Sequence, residues 1–306
     1  MKKTLLALAV LTAAGSVNAA TVYEKDGVSV DVGGAMEVQF RKTLTDGSDL
    51  DLRQDDGELN FKATVEVAEG VDAVGYYDFE FESGNAETTE LWGGFKGDFG
   101  TITFGKQYLH ADDAVIGSDY ELGFDSLDYE AHGEDVIKYK YSADNFWLGL
   151  SVDLEEGSED ESAFDAAAGV TLGDVELRAF YLNEQQDDQV SSPTVKFDKT
   201  LYSIEAEYSK DAFGAGLGFA HSEESESEVE NDLISMFGAY TAGKVKYVVG
   251  LNLLDKDGED ITNYYANVTY KMNGNVRVYG EVGGADSDVS GNEYDFGYVA
   301  GLEIKF

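Results

Sequence analysis

From Val28 the chain alternates strictly. Val28, Val30, Val32, Gly34, Met36, Val38 and Phe40 fall on even positions, with polar or small residues between them. The far end repeats the pattern: Tyr294, Phe296, Tyr298, Ala300, Leu302, Ile304 and Phe306 alternate with Glu293, Asp295, Gly297, Val299, Gly301, Glu303 and Lys305. A period of two describes a strand with one apolar face and one wet face. The stretch 293–306 exceeds the ordinary strand of roughly 5–6 residues, and it ends on an aromatic where frayed polar termini are usual.

Between these ends the rhythm continues. A polar stretch at 41–57 reads as a long loop, followed by strands at 58–67 and 71–82 around Glu69-Gly70. Further strand pairs flank Gly97-Asp98-Phe99-Gly100, Ala143-Asp144-Asn145, Gly173-Asp174, 209–212, Ala242-Gly243-Lys244 and 272–275. With the first and last strands the prediction is sixteen. Short turns alternate with longer acidic loops, the signature of an antiparallel transmembrane barrel whose first and last strands pair and so abolish the edge. Aromatics at Phe40, Tyr76-Tyr77, Phe95, Tyr139, Tyr141, Phe146-Trp147, Tyr240, Tyr247, Tyr264-Tyr265 and Tyr298 gather near strand ends, as interfacial girdles do.

Composition fits an exported barrel. Lys2 and Lys3, a short apolar run from Leu5 to Ala14 and Val17-Asn18-Ala19 form a secretory leader, so 1–19 is expected to be cleaved and 20–306 to form one barrel domain. The chain has 61 acidic against 21 basic residues, a net of −40 that becomes −42 without Lys2 and Lys3. That balance excludes nucleic acid as a partner, because phosphate binding needs a basic face. Zero Cys means no disulfides, which a closed sheet with paired backbone groups does not need. One Pro suits a chain made of strands.

Candidate chemistry concentrates in a long acidic segment from Leu109 to Glu134, which also carries Val115, Ile116, Tyr120, Leu122, Phe124 and Leu127. These apolar residues predict a loop folded against a wall. No Gly-x-Ser-x-Gly, His-Glu-x-x-His or Walker loop is present, so no enzyme is expected. His110 and His132 read as surface imidazoles. Asp255-Lys256-Asp257-Gly258 lacks the correctly placed glycine and the twelfth-position glutamate of a calcium loop and reads as a turn. No cofactor or metal site is expected beyond divalent cations held loosely at acidic loops. A calcium-binding secreted adhesin is an alternative, but its Gly-Gly-x-Gly-x-Asp repeats are missing.

Thr21-Val22-Tyr23-Glu24-Lys25-Asp26-Gly27, Leu91 to Lys106 and the hairpin Tyr139 to Phe146, with the terminal Phe306, resemble the Gram-negative general porins over essentially the whole mature chain. The resemblance implies a trimeric sixteen-stranded barrel in the outer membrane, each subunit a water-filled channel for small hydrophilic solutes and ions. It implies that the third extracellular loop folds into the lumen and sets acidic residues against basic wall residues. Here the loop acids are Asp112, Asp113, Asp119, Glu121, Asp125 and Asp128, and the wall residues are Lys62, Lys106, Lys138 and Lys140 with Glu58, which stands where an arginine is usual. Lys106 points inward only with a bulge near Gly105. The thin basic ladder and the negative charge predict cation preference. A solute-specific, for example oligosaccharide, porin is the alternative within the fold. Implied partners are outer-membrane lipid and lipopolysaccharide, and the assembly machinery, for which Phe306 is the signal.

Overall fold

The computed structural model describes residues 19–81, 86–124, 127, 129–154, 162–188, 195–225, 229–287 and 293–306. The leader expected at 1–19 lies outside them except for Ala19, and so do Asp125 and Asp128. The strands are β1 (Ala20–Lys25), β2 (Val28–Lys42), β3 (Asp51–Ala68), β4 (Val71–Glu80), β5 (Glu87–Gly97), β6 (Gly100–Tyr108), β7 (His132–Ser142), β8 (Phe146–Asp153) and β9 (Ser162–Leu172). They continue with β10 (Val175–Asp188), β11 (Val195–Lys210), β12 (Phe213–Glu224), β13 (Glu230–Ala242), β14 (Val245–Lys256), β15 (Glu259–Lys271), β16 (Val276–Ser287) and β17 (Gly297–Lys305).

From β2 each strand runs antiparallel to the next, and β17 returns to β2, which closes a ring of sixteen. The seam pairs Ala300 with Phe40 and Ile304 with Met36. It runs to the last residue, where Phe306 N–H donates to Gly34 O at 3.0 Å and Gly34 N–H to Phe306 O at 2.9 Å. Even positions face outward as the alternation requires: Tyr298, Leu302, Ile304 and Phe306 are exposed, while Val299 and Glu303 are buried.

Three boundaries differ from the sequence reading. β1 is an added strand: it folds back on β2 through Asp26 (φ +52°) and Gly27 (φ +75°), the doubly left-handed turn that matches strand twist. The last strand begins at Gly297 rather than at 293, because Asp295 takes Lys42 Nζ at 2.9 Å and the Gly47 N–H at 3.2 Å. Tyr294 accordingly packs 5.6 Å from Phe124 instead of facing outward. The loop expected at 41–57 is confined to 43–50, because β2 and β3 stay paired through Arg41 and Asp51 across a register shift beside Met36. Beyond the hydrocarbon layer both strand faces are wet, so apolar alternation vanishes while the backbone ladder continues.

Adjacent aromatics divide between the faces. Tyr77, Phe146 and Tyr264 are exposed on the outer surface, whereas Tyr76, Trp147 and Tyr265 are buried inside. The apolar core lies within the barrel, where the segment 109–131 packs against the strands. Leu109, Ala111, Ala114 and Leu127 join Val136, Trp147, Phe180, Leu182, Leu201 and Leu233. Leu122 joins Leu44, Val248, Tyr265, Tyr279 and Val299.

Candidate functional site

Among its described residues the segment between β6 and β7 carries one short 3₁₀ turn, His110–Asp113, so most of their backbone groups need partners outside regular structure. Wall side chains supply them. Asp165 on β9 accepts the Ala111 N–H at 2.6 Å, and Glu184 on β10 accepts that of Glu130 at 3.0 Å. Asn263 on β15 grips both directions: Oδ1 takes the Phe124 N–H at 3.0 Å, and Nδ2 donates to Leu122 O at 2.8 Å. Asn267 donates to Ser118 O at 2.9 Å. Glu281 on β16 collects three consecutive amides, those of Tyr120, Glu121 and Leu122, at 2.7, 2.8 and 2.9 Å. Charge-assisted bonds of this kind contribute about 1.5–3 kcal/mol each.

Side chains seat the same segment in gaps left by glycines. A Cβ at Gly149 would stand 2.5 Å from the His110 ring, and at Gly216 or Gly218 2.8 Å from Ile116. Gly283 and Gly297 are cross-strand partners, and a Cβ on either would come within 2.9 Å of Leu122. The three knobs therefore recur six residues apart, at 110, 116 and 122. Tyr120 stacks on Tyr279 at 3.6 Å, with the Arg277 guanidinium 5.3 Å from its ring.

The tip is tied to the opposite side of the seam. Glu121 pairs with Arg41 and with Arg53, each at 2.6 Å, and accepts from Gln39 at 3.0 Å. Burial opposes its ionisation, but bonds from Asp55, Gln39 and Arg41 and the charge of Arg53 outweigh it and hold the carboxyl below its ordinary 4.5. Asp55 is bound to Arg53 and Gln39 as well. Asp119 accepts the Gly123 N–H at 2.8 Å. Asp112 and Asp113 are exposed, and Asp113 lines a cavity with Lys138 and Lys140. The surrounding protein mass, and then the charge of Asp113, push Asp112 up to about 6. His110 is buried, correcting its reading as a surface imidazole, and Nε2 sits 3.1 Å from Tyr139 O. Burial and then the nearby Lys138 lower its pKa to about 3, so it is neutral at ordinary pH. His132 has a separate partner, with Nε2 2.7 Å from Thr89 O.

The sequence-predicted wall residues divide. Lys62, Lys138 and Lys140 line one cavity of about 460 Å³ with Trp92, His110 and Asp113. Lys138 donates to Tyr108 O at 2.8 Å. Glu58 lies opposite Ala35 and Glu80 on the inward face of β3. Lys106 goes elsewhere. The register shift between Gly105 and Gln107 is present, with Gly105 at φ +122°, but Lys106 bonds Glu134 at 2.5 Å while Gln107 becomes the buried residue, receiving Thr103 Oγ1 at 2.7 Å. A second cavity, of about 330 Å³, is lined by Glu37, Asp55, Asp56, Asp119, Lys246 and Arg277.

Glu37, Asp56 and Glu303 bring carboxylate oxygens within 4.8 Å of one another. Protein partners already serve this group: Tyr279 Oη donates to Glu37, and Arg277 and Lys305 pair with Glu303. Sequence reading missed Arg41 and Arg53, which it placed in a solvated loop. It also missed Asp165, Glu184 and Glu281, whose inward positions were legible but whose partners are backbone amides far along the chain.

Residues 4–290 match the family model of the Gram-negative porins. The chain belongs to that family. It is a porin of the cell outer membrane, which displaces the secreted adhesin. It is 40% identical over 330 residues to Porin-like protein H of Photobacterium profundum, covering 100% of both chains. Its fold matches the in-vitro folded, trimeric form of OmpT, an outer membrane protein of Vibrio cholerae, with a TM-score of 0.80 over 92% of this chain and 100% of that one at 22% identity. An anion-selective porin from Comamonas acidovorans matches with a TM-score of 0.79 at 13% identity, covering 91% of this chain and 100% of that one. The fold alone does not set an ion preference, which rests on the lining residues.

Proposed function

We propose that this porin is a homotrimeric, water-filled channel for passive diffusion of small hydrophilic solutes and ions, with a preference for cations. One observation carries the preference: the cavity of about 330 Å³ is lined by four carboxylates, Glu37, Asp55, Asp56 and Asp119, against Lys246 and Arg277. A low-dielectric wall focuses the field of such groups into the lumen and raises the local cation concentration. Asp112 and Asp113 add negative charge from the loop, which on this reading forms the constriction, with Lys62, Lys138 and Lys140 across from it. The trimeric form of OmpT supports the oligomeric state. The reading extends to contacts of outer acidic loops with lipopolysaccharide through divalent cations, and to Phe306 as the signal for the assembly machinery.

Reconstitution in a planar bilayer under a potassium chloride gradient tests the reading. The expected result is three equal conductance steps per insertion and a reversal potential of the sign set by potassium; a chloride-dominated sign overturns the preference.

A further inference from the structure

In a chain with 61 acidic and 21 basic residues, one cavity gathers four lysines, Lys62, Lys96, Lys138 and Lys140, that share no ion pair with a described carboxylate. Neither Lys62 nor Lys140 has a hydrogen bond or ion pair with a described residue. Lys140 holds its ammonium 4.8 Å from the Trp147 ring centre. Lys138, between them in the same cavity, spends one donor on the Tyr108 carbonyl.

The inner wall between these lysines is an ordered platform. Lys62, Tyr76, Trp92 and Gly105 are successive cross-strand partners on β3 to β6. Tyr76 is buried and stacks under Trp92 at 5.2 Å with planes 29° apart. The Trp92 indole is fixed by its N–H to Glu90 Oε2 at 2.9 Å. Next to Trp92 the floor is made of small residues, Gly94 and Thr103, with Lys138 paired to Thr103 and Lys140 to Thr101 on the far side. Four strand spacings, about 19 Å along the wall, separate Lys62 from Lys138, with Trp92 on a strand between them. Asp72 and Asp98 sit at the short-turn end of the cavity, and Asp113 faces it from the loop.

The geometry points to a solute subsite here for a monosaccharide-sized ring carrying a phosphate or carboxylate group. The ring lies against Trp92, whose flat face offers a large apolar contact, and the anionic group takes charge-assisted bonds from the free donors of Lys62. The volume of about 460 Å³ falls within the range of small-molecule sites, roughly 300–1,000 Å³. Neutral sugars lose the lysine bonds and bare phosphate loses the platform, so neither alone fits. The site deepens the channel reading and rests on it: a pore that prefers small cations overall holds one local station for a ring-bearing anion.

Single-channel recording on the reconstituted porin tests the subsite, with glucose 6-phosphate, glucose and inorganic phosphate as probes. The expected result is saturable current block by glucose 6-phosphate at a concentration at least about tenfold below that needed for either comparator. Lys62→Gln and Trp92→Leu should each weaken that block about tenfold in channels that still insert and conduct. Three outcomes overturn the subsite: open channels with no saturable block, equal block by phosphate and glucose 6-phosphate, or block unmoved by both substitutions. Failure to form channels at all counts instead against the diffusion reading.

Discussion

Two arcs of the same barrel wall use their inward polar positions in opposite ways. On β9 to β16, Asp165, Glu184, Asn263, Asn267 and Glu281 are spent on the backbone of the 109–131 segment. On β3 to β7, Lys62, Trp92 and Lys140 face a cavity. Both arcs show the same alternation in sequence. What separates them is which arc the loop lies against, so an inward carboxylate marks a loop anchor on one side and a solute-facing position on the other. Charge alone does not distinguish the two roles.

The largest effects should come from the anchored arc. Leu122→Ala removes a side chain that is 1% exposed and should cost about 3–5 kcal/mol, and Glu281→Ala, which strands three amides, should cost a similar amount. Lys62→Ala on the open arc should stay within about 0.5 kcal/mol. Thermal unfolding of the detergent-solubilised protein measures all three, and equal losses on both arcs would erase the contrast. Noisier open-channel current should accompany the first two.

A smaller effect follows from the glycine gaps. Gly283→Ala drives a methyl to 2.9 Å from Leu122 Cβ and should cost about 1–3 kcal/mol. Gly238→Ala, with nothing within 4 Å of the added Cβ, should be neutral or slightly stabilising. The same unfolding assay separates them.

The smallest predicted effect is a titration. Asp112 has a raised pKa of about 6, so its charged form is disfavoured above that value and the penalty is relieved as pH falls through it toward the ordinary 3.8. Glu121 is held below its ordinary 4.5, so its stabilising pairs with Arg41 and Arg53 persist above 4.5 and are lost only as pH falls through the lowered value. Between pH 7 and 5, cation preference should therefore drop without release of the loop. The reversal potential should shift in that window, and Asp112→Asn should reduce the shift.

Much of the fold was legible because the membrane enforces it. Alternation marks a strand wherever one face meets hydrocarbon, and the short turns, including Asp257-Gly258 with both φ positive, sit where Gly, Asp and Asn gather. Legibility failed where that constraint ends. Arg41 and Arg53 lie on strand extensions with two wet faces, so the pattern that found Phe40 was silent one residue later. Lys106 shows a related limit: the need for a bulge was readable at Gly105, but not that the bulge would turn Gln107 inward and leave Lys106 to Glu134. The anchors failed differently, since Asp165 and Ala111 lie 54 residues apart in sequence and meet only through the fold. Strand glycines such as Gly283 carry no mark that their missing Cβ is occupied by Leu122.

The division between the arcs is tested most directly by thiol accessibility, because the chain has no Cys. Thr64→Cys places a thiol in the open cavity, and Ser222→Cys places one under the loop, where Ser222 Oγ meets Leu127 O at 3.3 Å. A charged methanethiosulfonate reagent should modify the Thr64→Cys channel on mixing, with a step in the current. It should react with the Ser222→Cys channel more slowly by on the order of a hundredfold, limited by loop opening. Equal rates in the two variants would contradict a loop that covers the β9 to β16 arc of the wall and leaves the β3 to β7 cavity open.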